Sequence, residues 1–230
     1  MALKDFLFYE EPGITLYCGD CREVLPLLPY LIGACVTDPP YGINYHSHNN
    51  SSRGRSGEWK KWIRDENFKP IKGDDKPIDP ALLLLYGRVV IFGGNFLAHL
   101  LPPSKCWLVW DKRDGVGSNN QADCEFIWTN LKKPSRLYRH LWSGLLRAGE
   151  ENVAVSEKLH PNQKPVALVQ WVIEYAECPS DLPIVDPYAG SGTTLLASKR
   201  LGYEAIGIEI EPKYCEIAVK RLRQSVLALS

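Results

Sequence analysis

Short, continuous apolar runs recur along the chain, and most stop at glycine or an acid. Ile14–Cys18 ends at Gly19-Asp20, Ala34–Thr37 at Asp38, and Arg88–Phe92 at Gly93-Gly94. Leu182–Val185 ends at Asp186, and Ala205–Ile208 at Glu209. A continuous run, rather than an alternating one, predicts a strand buried on both faces. Cys106–Trp110 and Glu125–Trp128 are further strand candidates. Helical spacing follows several runs: Arg22–Leu28 is short, and Lys164–Ala176 carries Val166, Val169, Val172 and Ile173 on one face. Ser191–Leu201 and Pro212–Leu227 are the clearest, the latter with Tyr214, Ile217, Ala218, Arg221 and Leu222 at three- and four-residue steps and proline in its first turn. Alternating strand and helix predict an α/β fold: a doubly wound, mostly parallel sheet with helices on both faces.

Two stretches break this rhythm, 44–79 and 131–159. The first is polar, rich in Gly and Ser, and basic; the second is basic with scattered aromatics. Loops this long inside a compact domain are usually functional or disordered.

Composition narrows the class. The chain has 230 residues, 45% hydrophobic and 23% charged, which suits one globular domain with long loops and excludes wholesale disorder. No apolar run approaches the ~20 residues that span a bilayer, and the start MALKDFLFYEEPG has no secretory pattern, so a cytoplasmic protein is expected. The 27 basic side chains balance 27 acidic ones, so any basic surface is local. Arg53–Lys72 holds seven basic residues against three acidic, and Leu131–Arg147 holds five and no acid. Seven cysteines make an odd count, against a disulfide framework. Cys18 and Cys21 form a C-x-x-C with no second pair to complete four ligands, so no metal is expected.

Two strand ends carry chemistry. Asp38-Pro39-Pro40-Tyr41 joins one carboxylate, rigid proline carbonyls and an aromatic ring: acceptors and a stacking platform for a flat heterocycle bearing an amino group. An ordinary proline-rich turn with a capping Asp would have the same four residues. Asp186-Pro187-Tyr188-Ala189-Gly190-Ser191-Gly192-Thr193-Thr194 joins a strand to a helix through a glycine turn. It lacks the Gly-Lys-Ser/Thr of a phosphate-binding loop, and Leu195 stands where a dinucleotide fingerprint has its third glycine. Glu209, nineteen residues after Gly190, is placed to bind ribose hydroxyls, which indicates a nucleoside cofactor without requiring a pyrophosphate.

Together these motifs resemble the S-adenosylmethionine-dependent amino-group DNA methyltransferases. Leu16–Leu25, His160-Pro161-Asn162-Gln163-Lys164-Pro165, and Ile206–Glu209 with Tyr214 and Arg221-Leu222 extend the resemblance over residues 14 to 223. The catalytic motif precedes the cofactor motif, as in the permuted β-type order, and the short chain is similar to the stand-alone methylases of phages and prophages. The resemblance implies a single methyltransferase domain over 1–230, with 44–79 and 131–159 as DNA-contacting or target-recognition loops. It implies that Asp38 and the Pro39 carbonyl accept from the target amino group, that Pro40 holds the turn and that Tyr41 stacks on the flipped base. Asp20, Cys21, His160, Lys164, Asp186, Ala189, Gly190, Ser191, Gly192, Thr193 and Glu209 fall to the cofactor, S-adenosylmethionine. Arg53, Arg55, Lys60, Lys61, Arg64, Arg136 and Arg139 fall to double-stranded DNA. Asp in the first motif position favours adenine N6 over cytosine N4, and a homodimer is expected by analogy. Methylation at cytosine carbon 5 is set aside because the chain has no Pro-Cys. A Rossmann oxidoreductase, a silent nucleic-acid-binding relative and an RNA or protein-glutamine methyltransferase are the competing readings.

Overall fold

The computed structural model describes residues 1–28, 31–43, 74, 78–115, 117, 122–143, 146–147 and 163–227. These divide into two compact units, Met1–Pro39 with Pro80–Ser230, and Pro40–Asp79.

The larger unit is built on one sheet. Its strands are β1 (Leu7–Glu11), β2 (Ile14–Cys18), β3 (Ala34–Thr37), β4 (Val89–Phe92), β5 (Trp107–Asp111), β6 (Cys124–Thr129), β7 (Arg136–Arg139), β10 (Ile184–Asp186) and β11 (Ala205–Glu209). Their spatial order is β1-β2-β11-β10-β3-β4-β6-β5-β7. A separate short ribbon pairs β8 (Trp142–Ser143) with β9 (Leu146–Arg147). The five strands from β2 to β4 are parallel neighbours. β1 runs against β2, and β6 runs against both β4 and β5. The order reverses direction between β10 and β3, and ligands of open α/β sheets bind at such a switch.

Every residue of β3, β4, β10 and β11 is buried, as their continuous apolar runs predict. The helices are α1 (Cys21–Val24), α2 (Gly94–Leu97), α3 (Val166–Ala176), α4 (Thr193–Leu201) and α5 (Pro212–Leu227). Leu168, Val169, Val172 and Ile173 of α3 are buried in the main core with Leu195, Leu196 and Ala197 of α4.

Several boundaries differ from the sequence expectation, for local reasons. α4 begins at Thr193, not Ser191, because Gly190 and Gly192 take left-handed φ of 51° and 75°. α3 begins at Val166 because Pro165 is extended at its N-cap. The Arg22–Leu28 helix is one α turn followed by a 3-10 turn at Leu25–Leu27, where Pro26 enters. The 131–159 stretch contains β7, β8 and β9, although its exposed, charged alternation gave no buried run. Edge strand β1 was missed for the same reason: four of its five residues are charged or exposed. Among the described residues, no helix is long and apolar enough to cross a membrane.

α2 crosses β6 at very short range. A Cβ on Gly94 would lie 2.6 Å from Trp128 Cβ and 2.8 Å from the Trp128 backbone nitrogen, whereas one on Gly87 would meet nothing within 4 Å. Gly94→Ala is therefore expected to lower unfolding stability by about 1–3 kcal/mol in a urea titration, with Gly87→Ala close to neutral. Equal effects would mean that the α2–β6 approach is not a fixed contact.

Candidate active site

Four neighbouring strands of the larger unit end at acids. Asp20 follows β2, Glu209 closes β11, Asp186 closes β10 and Asp38 follows β3. Each acid has a different set of partners.

Asp186 is buried. Its Oδ1 accepts from the Thr37 hydroxyl at 2.7 Å and from the Tyr188 backbone N–H at 3.1 Å. Burial pushes its pKa up to about 6, against the opposing pull of hydrogen bonds from Thr194, Thr37 and Tyr188; the charge of Asp38 adds to the rise. Its carboxylate therefore joins β10 to β3.

The glycine turn that follows is held from two sides. Glu209 Oε2 accepts the Gly190 N–H and Oε1 accepts the Glu211 N–H, both at 2.8 Å. Burial raises the Glu209 pKa even so. On the other side, the buried Arg221 guanidinium donates to the Ser191 carbonyl at 2.6 Å, and to Ser191 Oγ and Thr193 Oγ1 at 3.0 Å. Gly192 is needed twice: its φ is left-handed, and a Cβ there would lie 2.8 Å from Ala218 Cβ on α5. Ala189 is buried and its N–H bonds to the Ile208 carbonyl at 2.9 Å, closing the turn on β11.

Asp20 caps α1 through the Arg22 N–H at 2.9 Å and also holds the Arg22 side chain. Cys21 is buried beside Tyr188, and burial raises its thiol pKa.

Asp38 is the acid held by a lysine. Lys164 Nζ donates to Asp38 Oδ2 at 2.6 Å, lies 3.5 Å from Glu125 Oε2 and sits 5.8 Å from the centre of the Phe92 ring. Lys164 is 8% exposed. Glu125 Oε1 in turn accepts from Lys112 Nζ at 3.0 Å. Burial works to raise the Glu125 pKa, but Lys164 and then Lys112 outweigh it, and the net direction is down. Pro39 is buried behind Asp38. Pro40 and Tyr41 open the second unit, in which the Gly42 N–H donates to Asp74 Oδ1 at 2.9 Å.

Within the larger unit, the fold thus gathers Asp38, Lys164, Asp186, the Gly190–Thr193 turn and Glu209 at the carboxyl ends of adjacent strands. Arg136 and Arg139 lie apart from them on edge strand β7, both exposed, with Arg139 Nε 3.7 Å from Asp111. His160, Arg53, Arg55, Lys60, Lys61 and Arg64 lie outside the described residues. Thr37, Lys112 and Glu125 escaped the sequence reading as site residues, and Arg221 was noted for its helical spacing and its place in the resemblance, not for its hold on the glycine turn. Their one sequence signal is a polar residue within, or next to, an apolar run.

An acid following one strand at the sheet's switch point and a glycine turn locked by a second acid thus stand at the carboxyl ends of neighbouring strands. A family model described as DNA methylase, for N6 and N4 methyltransferases, matches residues 104–220. The type II methyltransferase M.HinfI of Haemophilus influenzae is 43% identical over 249 residues, covering 91% of this chain and 68% of its own. Among solved structures, the M1.HpyAVI–SAM complex superposes with a TM-score of 0.53 at 23% identity, covering 91% of this chain and 98% of that one. The cytosine-N4-specific PvuII DNA methyltransferase gives 0.51 at 17%, covering 90% and 85%. The chain belongs to the N6/N4 DNA methylase family, with the class I methyltransferase fold. S-adenosylmethionine is the methyl donor of that family.

The raised Asp186 pKa has a measurable consequence. Its folded value of about 6 exceeds the ordinary 3.8, so the folded state holds this proton more tightly than the unfolded chain. Stability from this group is then highest below pH 3.8 and falls as pH rises to about 6. Asp186→Asn removes the penalty, so its stability relative to the parent should rise by about 3 kcal/mol between pH 4 and 7. A difference that stays constant with pH would refute the buried, partly protonated carboxyl.

Proposed function

We propose that the chain is an adenine-N6 DNA methyltransferase acting by direct displacement on a base flipped out of the duplex. The observation that carries this reading is the Asp38 carboxylate, fixed at a strand end by Lys164, beside the locked turn from Gly190 to Thr193.

An exocyclic amino nitrogen is a poor nucleophile, because its lone pair is delocalised into the ring. Asp38 and the Pro39 carbonyl would accept its two hydrogens and favour a tetrahedral nitrogen, with Tyr41 stacking on the base and Pro40 stiffening the turn. Such fixed acceptors act by positioning and electrostatics. A base inside the stack is out of reach, so flipping is implied.

S-adenosylmethionine, when bound, supplies an electrophilic methyl group on its sulfonium. The site fits a nucleoside of that kind. A carboxylate has about four lone-pair positions, and Glu209 uses two on the Gly190 and Glu211 N–H groups, which leaves capacity for ribose hydroxyls. Gly190 and Gly192 carry no side chain over the turn, Ala189 adds only a methyl, and Asp186 anchors the turn from below. Asp20 and Cys21 would border the adenine. His160 belongs to the same proposed set by resemblance.

Arg53, Arg55, Lys60, Lys61 and Arg64 would contact DNA phosphates from 44–79, and Arg136 and Arg139 from 131–159. The whole of 1–230 would work as one methyltransferase domain in the cytoplasm, on double-stranded DNA, with a homodimer carried over from the family. Asp at the head of the catalytic motif favours adenine over cytosine N4.

The test is methyl transfer from labelled S-adenosylmethionine to unmodified duplex DNA, with nucleoside mass analysis of the product. N6-methyladenine is expected, with a loss of roughly 10²–10³-fold or more in Asp38→Ala. N4-methylcytosine would overturn the base assignment while keeping the mechanism. An active Asp38→Ala would overturn the catalytic motif.

A further inference from the structure

Lys164, Glu125 and Lys112 form a line of alternating charge behind Asp38, and neither Glu125 nor Lys112 has a role in the proposed reaction. Glu125 is on β6 and is paired across the sheet with Trp110 on β5. Lys112 follows β5 directly and sits 5.8 Å from the centre of the Trp110 ring. Its ammonium fixes one oxygen of Glu125, at 3.0 Å. The other oxygen, Oε2, is buried and makes no hydrogen bond, yet it lies 3.5 Å from Lys164 Nζ. A buried carboxylate oxygen without a hydrogen bond is costly to keep. Here it is an acceptor aimed at an ammonium that is hydrogen-bonded to Asp38 instead.

We propose that Lys164 is a cation with two seats: Asp38 holds it in the free enzyme, and it moves onto Glu125 when the target amino group takes Asp38. Glu125 and Lys112 are then positioning residues, Lys112 acting through Glu125. This rests on the amino-methyltransferase reading above.

The chemistry calls for such a move. Positive charge develops on the amino nitrogen as it is methylated, and a lysine ammonium hydrogen-bonded to the accepting carboxylate would both compete with that nitrogen and repel it. Without a partner, a displaced lysine in this buried position would be an uncompensated charge. Glu125 offers a partner already within ion-pair distance, and the two lysines beside it keep it ionised. The transfer of one hydrogen bond involves no covalent change.

Glu125→Gln removes the second seat without changing shape. The expected result is a kcat about tenfold lower, with KM for S-adenosylmethionine unchanged. Glu125→Asp should recover part of the loss. Lys112→Met should lower kcat by about threefold alone and add nothing in the Glu125→Gln background, because it acts through that carboxylate. A second readout uses duplexes whose target base carries or lacks its exocyclic amino group. The parent protein should bind the amino-bearing duplex more tightly, and Glu125→Gln should lose that preference, which a general loss of folding would not produce selectively. Should Glu125→Gln fail to fold, Lys112→Met carries the same two measurements. An inactive parent protein would overturn the methyltransferase reading. An active parent with unchanged kcat and amino preference in Glu125→Gln, or Lys112 and Glu125 effects that multiply, would overturn the two-seat lysine alone.

Discussion

Parallel strands end at the same edge of a sheet, and here four adjacent ones end at carboxylates. β2, β11, β10 and β3 deliver Asp20, Glu209, Asp186 and Asp38 side by side. Like charges so arranged repel, and the larger unit has to give each one its own compensation. Asp20 caps a helix and holds Arg22. Glu209 takes two backbone N–H groups. Asp186 is buried, which pushes its pKa up to about 6 and weakens its charge near neutral pH. Asp38 receives a lysine. Three of these solutions tie the acid to backbone N–H groups, so they are part of the fold. The fourth uses a side chain from the segment before α3, and it is the one that a substrate could exchange.

The same edge sets the glycine turn. Glu209 holds it from β11 and Arg221 from α5, so two elements far apart in sequence fix residues 190 to 193. Ser191 and Thr193 spend their hydroxyls on Arg221, which gives those residues a structural task alongside any contact with cofactor. A turn locked this way costs little ordering when a ligand binds, and low reorganisation is what electrostatic catalysis requires.

The buried strands were legible because burial on both faces leaves an unbroken apolar run, and their ends because an acid interrupts it. β3, β10 and β11 were found this way, together with Asp38, Asp186 and Glu209. β1 and β7 were not, since edge strands present polar, exposed residues that look like loop. The sequence motifs also located the turn but not what holds it. Glu125 and Lys112 reach Lys164 only through the pairing of β5 with β6, and no local spacing brings residues 112, 125 and 164 together. Long-range pairing of this kind is invisible to a reading that moves along one chain.

The choice of lysine at 164 follows from that geometry. A guanidinium is a rigid planar fork suited to clamping one carboxylate with two bonds. An ammonium is a compact charge with three donors on a flexible stem, and it can turn from one acceptor to another with little change in its surroundings. Two carboxylate oxygens at 2.6 and 3.5 Å from Nζ leave such a charge a short path between them. The Lys164 ammonium also sits 5.8 Å from the centre of the Phe92 ring, a cation–π contact that adds to its hold near both carboxylates. An arginine there would stabilise Asp38 more firmly, and for that reason would release it less readily to an incoming amino group.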